Sequence, residues 1–249
     1  MASMVVLFVL VAALDAGSPT PPAAPTAGLR DAKAILADYA KAIGDESAWK
    51  RHKSVRIKRE VVVRAMNFKS QEETRMLRSG KLYSRSSMPG MGTFRRGYDG
   101  RVAWSEDPIN GLRVLKGAEA DDVRLAAVWN SEWRLGKIYS PVKAVVPPDD
   151  APNADSLECV QLAKPQGPPS IVCFDAKTHL RVWEKGVQAS QGGQVPYVTQ
   201  FSDWRTVDGV RVWYHEKVTV GPITMEGHVS RIIFDEPASP RLFSLPRKK

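Results

Sequence analysis

The residues of this chain whose types suit chemistry are few and dispersed. In WYHEKVT, His215 and Glu216 stand side by side, like the first half of a zinc-protease pair. That chemistry needs a second histidine one helical turn later, so that two imidazoles reach one metal from one helix face. Position 219 is a threonine, and the surrounding alternation belongs to a strand. His52, His179 and His228 lie far apart in sequence, and a surface or packing role is expected for each. Asp121-Asp122 and Asp149-Asp150 suit a helix N-terminal region and a loop. No Gly-x-Ser-x-Gly elbow, phosphate-binding loop or dinucleotide fingerprint occurs. The expectation is a protein that is not an enzyme, with no catalytic residue, metal or cofactor. An enzyme would need His215 or His228 to converge with acidic groups in a cleft.

Two carboxylates sit in a shared setting. GYDGRVAW places Asp99-Gly100, and TVDGVRVW places Asp208-Gly209, between β-branched runs. Asp-Gly favours the two-residue hairpin turn, whose central residues both need positive φ. Both aspartates therefore read as corners rather than as acids with a partner.

The cysteines carry a second signal. Cys159 in LECVQL and Cys173 in SIVCFD flank the turn-rich AKPQGPP. Antiparallel pairing around that loop sets Leu162 opposite Ser170 and Cys159 opposite Cys173, close enough for a disulfide. The bridge is preferred over two buried thiols, because the chain carries export signals.

Those signals lie at the start. Met4 to Leu14 is an uncharged apolar run of signal-peptide length, too short to span a bilayer, and Leu14-Asp15-Ala16 offers a cleavage site. Residues 1–16 are expected to be a cleaved signal peptide, 17–28 a Pro/Ala/Thr linker and 29–249 one domain. No cysteine stands near the leader for lipid attachment, so a periplasmic, unanchored protein is expected. With 36 Lys and Arg against 27 Asp and Glu, its surface favours an anionic membrane or an envelope protein. Nucleic acid is not an expected partner of an exported chain. TFRRGY, Thr93 to Tyr98, reads as a sheet edge defended by charge.

The positioning elements follow from periodicity. LRDAKAILADYAKAIG has apolar residues at helical spacing, and Asp45 is placed to cap a short helix through ESAWKRH. From Ser54 the period becomes two: Val55, Ile57, Val61 and Val63 share one face, and Arg56, Lys58, Glu60 and Arg64 the other. A helix through GAEADDVRLAAVWNSEWRLGK carries the stripe Leu125, Val128, Trp129 and Trp133 and is expected to end at Gly136. Strands are then predicted at 157–163, 170–174, 180–188, 194–206, 210–220 and 224–235. The order helix, strands, helix, many strands is α+β, an antiparallel meander with helical insertions.

Several segments together carry a likeness: AKAIGDESAW, GYDGRVAW followed by NGLRVLKGAEA, CFDAKTHLRVW, DWRTVDGVRV, and the terminal Phe243 and Pro246. Over about residues 29–246 the chain resembles the LolA/LolB superfamily of lipoprotein carriers, and more closely the outer-membrane lipoprotein-sorting-like proteins. It departs from that pattern with Asp45 after Gly44, and with Trp213 where proline is frequent. The resemblance implies a strongly curved antiparallel half-barrel with helices covering its concave face over an apolar cavity that holds acyl chains. The implied function is a periplasmic lipid- or lipoprotein-binding carrier, with an envelope interaction or sensing module without cargo as the alternative. The expected cavity wall is Val61, Val63, Trp104 and Val212 from strands, with Leu125, Val128, Trp129 and Trp133 as part of the lid.

Overall fold

A computed structural model describes residues 28–164, 167–190 and 193–247. The expected signal peptide and nearly all of the expected linker lie outside the described residues. Helix α1 (Ala32–Ala42) begins at Asp31, whose carboxylate accepts from Ala34 N at 3.0 Å. Helix α2 (Glu46–Arg51) is capped by Asp45, which accepts from Ala48 N at 2.7 Å. Both caps satisfy backbone donors that the first helical turn leaves free.

The strands begin with β1 (Ser54–Val63), β2 (Phe68–Leu77), β3 (Lys81–Met88), β4 (Gly92–Tyr98), β5 (Ala103–Asp107) and β6 (Gly111–Val114). Helices α3 (Gly117–Ala126) and α4 (Leu135–Ile138) intervene. Then come β7 (Val142–Val145), β8 (Leu157–Leu162), β9 (Ser170–Asp175) and β10 (Arg181–Ser190). The last three are β11 (Gly193–Val207), β12 (Val210–Val220) and β13 (Ile223–Phe234). All join one open, curved antiparallel sheet in the order β6-β5-β4-β3-β2-β1-β13-β12-β11-β10-β9-β8-β7.

Every neighbour in that order is also a neighbour in sequence except one. β1 pairs with β13, Val55 opposite Phe234 through Val62 opposite Glu226. The first and last strands therefore meet at the centre, and the two edges are β6 and β7, which are consecutive in the chain. The link between those edges carries α3 and α4 back across the inner face. Helix α3 touches β4 and β5 on one wing and β10 on the other, while α1 packs on β7, β8 and the Ser131–Arg134 turn.

The turns show which local rules held. At Asp208-Gly209 both φ angles are positive, 49° and 79°, and Val207 pairs directly with Val210, as a two-residue hairpin requires. Asp99 does otherwise: its carboxylate accepts from Arg101 N and Val102 N, both at 2.8 Å, so it caps a longer loop from the side. Cys159 and Cys173 stand opposite each other on β8 and β9 and form the disulfide. The expected long helix through Trp133 is broken instead. It stops at Ala126, Asn130 takes a left-handed conformation, a 3₁₀ turn spans Ser131–Arg134, and Gly136 lies inside α4 rather than ending the helix. An asparagine tolerates positive φ where most side chains do not, so the chain can turn there.

Apolar burial is divided among three places. The largest cluster fills the inner face, where Tyr39, Trp49, Leu82, Phe174, Val210 and Val212 are among the buried residues. A second, around the disulfide, includes Trp183 and Ala151. The third joins Tyr83, Trp104 and Phe243. Trp104 alternates with Ala103, which belongs to the inner cluster, so the indole lies on the outer face. There its Nε1 donates to the Phe243 carbonyl at 2.9 Å. The ring lies over β4, where only a residue without Cβ fits: a Cβ at Gly97 would come within 2.4 Å of it. The C-terminal segment is thus a plug on the outer wall. Phe243→Ala should lower unfolding stability by about 3–5 kcal/mol, read by urea denaturation; an unchanged midpoint would mean that the segment does not pack there.

Candidate functional site

The eight expected wall and lid residues do not form one surface. Val212 and Trp129 are buried in the inner core, with Trp133 half-buried against it. Leu125 lines a cavity beneath α3, and Val128 is half-buried. Val63 is buried outside the three apolar clusters, and Val61 is half-buried. Trp104 is the clear correction: it belongs to the outer face, because strand alternation points it away from Ala103.

What the inner face holds instead is charge. Arg59 sits on β1 between Ile57 and Val61, the parity that faces inward. Its Nε donates to Glu72 of β2 at 2.7 Å, and its Nη1 contacts Glu216 of β12. Glu72 and Glu216 are 8% and 5% exposed, so this is an ion cluster out of water. The bulge that interrupts the β1–β13 register lies at Lys58/Arg59, beside it. On the other wing, Arg181 of β10 reaches Glu132 at 3.3 Å and Glu184 at 3.4 Å. Its guanidinium also lies 4.1 Å from the centre of the Phe201 ring and 4.8 Å from that of Trp213.

Glu132 makes this second cluster a junction. It sits in the turn between α3 and α4, and accepts from Tyr39 Oη of α1 at 2.6 Å. One carboxylate thereby ties α1, the helical crossover and the sheet. Tyr197 of β11 donates to Glu184 at 2.5 Å. Burial, reinforced by the adjacent carboxylates, pushes the Tyr39 and Tyr197 phenols well above the usual range, so they remain donors. Burial pulls the Arg181 guanidinium down, but the Glu132 and Glu184 carboxylates outweigh it and keep it cationic.

Between this cluster and α3 lies a cavity of about 90 Å³, lined by Arg96, Asp122, Leu125, Ser131, Lys164 and Tyr139 among others. Arg96 belongs to TFRRGY, and here the expectation of a charged sheet edge is overturned. β4 is internal to the sheet; Arg95 pairs with Glu106 at 2.8 Å while Arg96 turns to the cavity. Burial lowers the Arg96 pKa, against the opposing pull of Glu119 and Asp122 on α3, and its Nε finds no hydrogen-bond partner. Ser84 and Ser105 flank it across β3 and β5, both buried, with hydroxyls that lack a partner. A second cavity of about 50 Å³ lies beside Arg59, Met76 and Trp213.

The histidines divide. His52 packs: it stacks on Phe234 at 4.0 Å and its Nδ1 lies 2.9 Å from Asp235. His179 occupies a turn with φ 55°. His215 and His228, far apart in sequence and each expected in a surface or packing role, are directly opposite on β12 and β13. The inward ions were visible as breaks in alternation. Arg59 interrupts the series Val55, Ile57, Val61, and Glu216 interrupts Val210, Val212, Val218, Val220.

No family model matches the sequence, and comparison with curated proteins finds no match. Solved structures do match. An outer membrane lipoprotein-sorting protein domain from Vibrio parahaemolyticus superposes with a TM-score of 0.54 at 10% identity, over 84% of this chain and 94% of that one. A DUF1329 family protein from Desulfovibrio piger gives 0.51 at 10%, over 86% and 97%. A LolA superfamily protein from Nitrosomonas europaea gives 0.51 at 9%, over 86% and 98%. The fold is therefore LolA-like, an open curved antiparallel sheet with helices.

The Arg59 cluster generates a test. Arg59→Met leaves two buried carboxylates unpaired and should cost about 3–5 kcal/mol. Replacing all three groups (Arg59→Met with Glu72→Leu and Glu216→Leu) should recover most of that loss, because no charge then remains to be solvated. Urea unfolding of both variants checks it; a single variant within 1 kcal/mol of wild type, as is usual for an exposed ion pair, would contradict the buried-charge account.

Proposed function

We propose that this is a periplasmic lipid- or lipoprotein-binding protein of the carrier type, non-catalytic, exported with cleavage after Ala16 and not lipid-anchored. Residues 29–249 act as one unit in this reading. The observation that carries it is the crossover from β6 to β7: α3 spans the mouth of a curved sheet, touches both wings, and has a cavity directly beneath it. Among the described residues no helix is long and apolar enough to cross a membrane. An acyl chain buried between α3 and the sheet gains about 0.8 kcal/mol per methylene, so carriage requires space rather than a reactive group. The basic surplus of +9 suits contact with an anionic membrane or an envelope partner.

The space present belongs to a closed state. Ligand pockets ordinarily measure roughly 300–1,000 Å³, and the two cavities on the inner face are about 90 and 50 Å³. Loading in this reading means that α3, the Ser131–Arg134 turn and α4 lift away from the sheet. Arg96 and its neighbouring serines would then meet the polar part of the cargo. A second reading, an envelope interaction module without cargo, is favoured by the same inner face being filled and crossed by ion clusters.

Expression of the full chain with export, gentle purification, and intact, native and organic-extract mass spectrometry decide between them. The expected result is a chain beginning at Gly17 with stoichiometric phospholipid or acylated peptide. A clean protein mass that also rejects added fatty-acid probes would overturn carriage in favour of the interaction module.

A further inference from the structure

On the outer face of the sheet, away from both inner clusters, three side chains of metal-binding type converge. His215 of β12 and His228 of β13 are a directly opposed cross-strand pair, and Glu226 lies two residues before His228, which puts it on the same face. The Glu226 carboxylate stands 4.0 Å from His215 Nε2 and 3.7 Å from His228 Nε2, and ligand atoms of all three lie within 4.8 Å of one another. The imidazole rings are stacked, centroids 4.6 Å apart at 17°. We propose that His215, Glu226 and His228 form a binding site for a divalent transition metal of the zinc class.

Three features favour a metal over a surface cluster of no consequence. First, His215 Nε2 is buried and has no hydrogen-bond partner, although the neighbouring atoms are polar. Buried polar atoms normally have a partner, so this nitrogen is available to a ligand. Second, Ser202 Oγ lies 2.8 Å from His215 Nδ1. With Nδ1–H donating to the serine, Nε2 carries the free lone pair. The opposite tautomer would bury an Nε2–H with no acceptor in reach, the costlier orphan. A hydrogen bond to the far ring nitrogen is the usual way a metal-bound imidazole is oriented and made more basic. Third, two neutral imidazoles and one carboxylate are a donor set that suits zinc, copper or nickel, whereas calcium and magnesium want oxygen throughout.

The geometry is near what binding requires. Zinc bonds of about 2.0–2.1 Å in a tetrahedral arrangement put ligand atoms roughly 3.4 Å apart. The two histidine–carboxylate separations, 4.0 and 3.7 Å, are longer than that, and rotation of the exposed His228 with smaller shifts of the half-buried His215 and Glu226 closes them, unstacking the rings as the metal enters. Arg64 now contacts the Glu226 carboxylate, Nη2 to Oε2 at 3.2 Å. Arg64 is 77% exposed but Glu226 only 22%, and Arg64 Nε also donates to Oε1 at 3.3 Å, so an entering metal displaces a bidentate partner. Glu60, opposite His228 on β1, is engaged by Lys69 and Gln71 and adds negative potential beside the site. Three protein ligands leave a fourth position for water or for a group on a partner. The site spans β12 and β13 and does not depend on the carrier reading.

Tag-free full chain, freed of metal by chelation, is titrated with zinc chloride by calorimetry, and the bound metal is counted after dialysis. One zinc per chain is expected, with no calcium bound under the same conditions. His228→Ala, at an exposed position where folding is not at stake, should abolish the stoichiometric site. Ser202→Ala should weaken it on the order of 10–100-fold, and Arg64→Ala should strengthen it. Imidazole NMR should show His215 and His228 shifting on zinc addition while His52 and His179 stay put. Absence of zinc binding, equal binding by the His228→Ala variant, or a response at His52 or His179 instead would overturn the assignment.

Discussion

The pairing of β1 with β13 is the constraint from which the rest of the architecture follows. A meander whose first and last strands meet at the centre must place two mid-sequence strands at the edges. Those strands, β6 and β7, are consecutive, so the chain between them has to travel from one wing of the curved sheet to the other. Its shortest route crosses the inner face. The helices there are the physical consequence of that closure, and their apolar sides have nowhere to go but onto the sheet. The outer face is covered differently, by the loop over the disulfide and by the C-terminal segment that seats Phe243 against Trp104.

The inner face would be expected to be greasy throughout, and it is not. Its apolar core is interrupted twice, near the centre by Arg59 and on one wing by Arg181, each held between carboxylates. Taking such groups out of water is costly unless each charge is met, and here each arginine finds two carboxylates. Glu132 matters beyond its own pairing, because Tyr39 and Arg181 bind its two oxygens from α1 and from the sheet. A lid held by ions has a property that an apolar contact lacks. Water entering the interface solvates the separated charges, so opening recovers in hydration part of what it loses in contact. In the proposed carrier reading, such a junction suits a cover that is shut in the free protein and yields when a ligand fills the space beneath.

Much of the fold was legible because local chemistry and long-range order agree in it. Strand boundaries from β8 onward follow the alternation to within a few residues, Asp45 caps its helix, and Asp208-Gly209 makes its turn. Opposed positions of Cys159 and Cys173 followed from the length of one loop. The failures have physical causes. The helix beyond Ala126 was read as continuous since tryptophans 129 and 133 fit its period, yet Asn130 permits the left-handed turn that ends it. Trp104 was placed on the cavity wall with Val61, Val63 and Val212, whereas its face is fixed by alternation with Ala103. Arg59, Arg96 and Arg181 escaped notice because a charge in a strand is normally assigned to solvent; parity marks Arg59 and Arg96 as inward, whereas Arg181 has the parity of Trp183 in the disulfide cluster and faces inward through the irregularity between the two. His215 and His228 are brought together by β12–β13 register, which the Gly221-Pro222 turn between Val220 and Ile223 sets.

The claim on which the account rests is that the crossover helices form a separable cover on an otherwise firm sheet. Native-state hydrogen exchange measures this directly, since amides released by local opening exchange at lower free energy than those freed only by global unfolding. The account predicts that helical amides within residues 117–138 exchange through an opening smaller than global unfolding. Amides of β1 and β13 should exchange only with the whole molecule, and an added fatty-acid probe should change exchange in the helices first. Crossover amides as protected as the central strands, with or without the probe, would contradict it: the inner face would then be a permanent core.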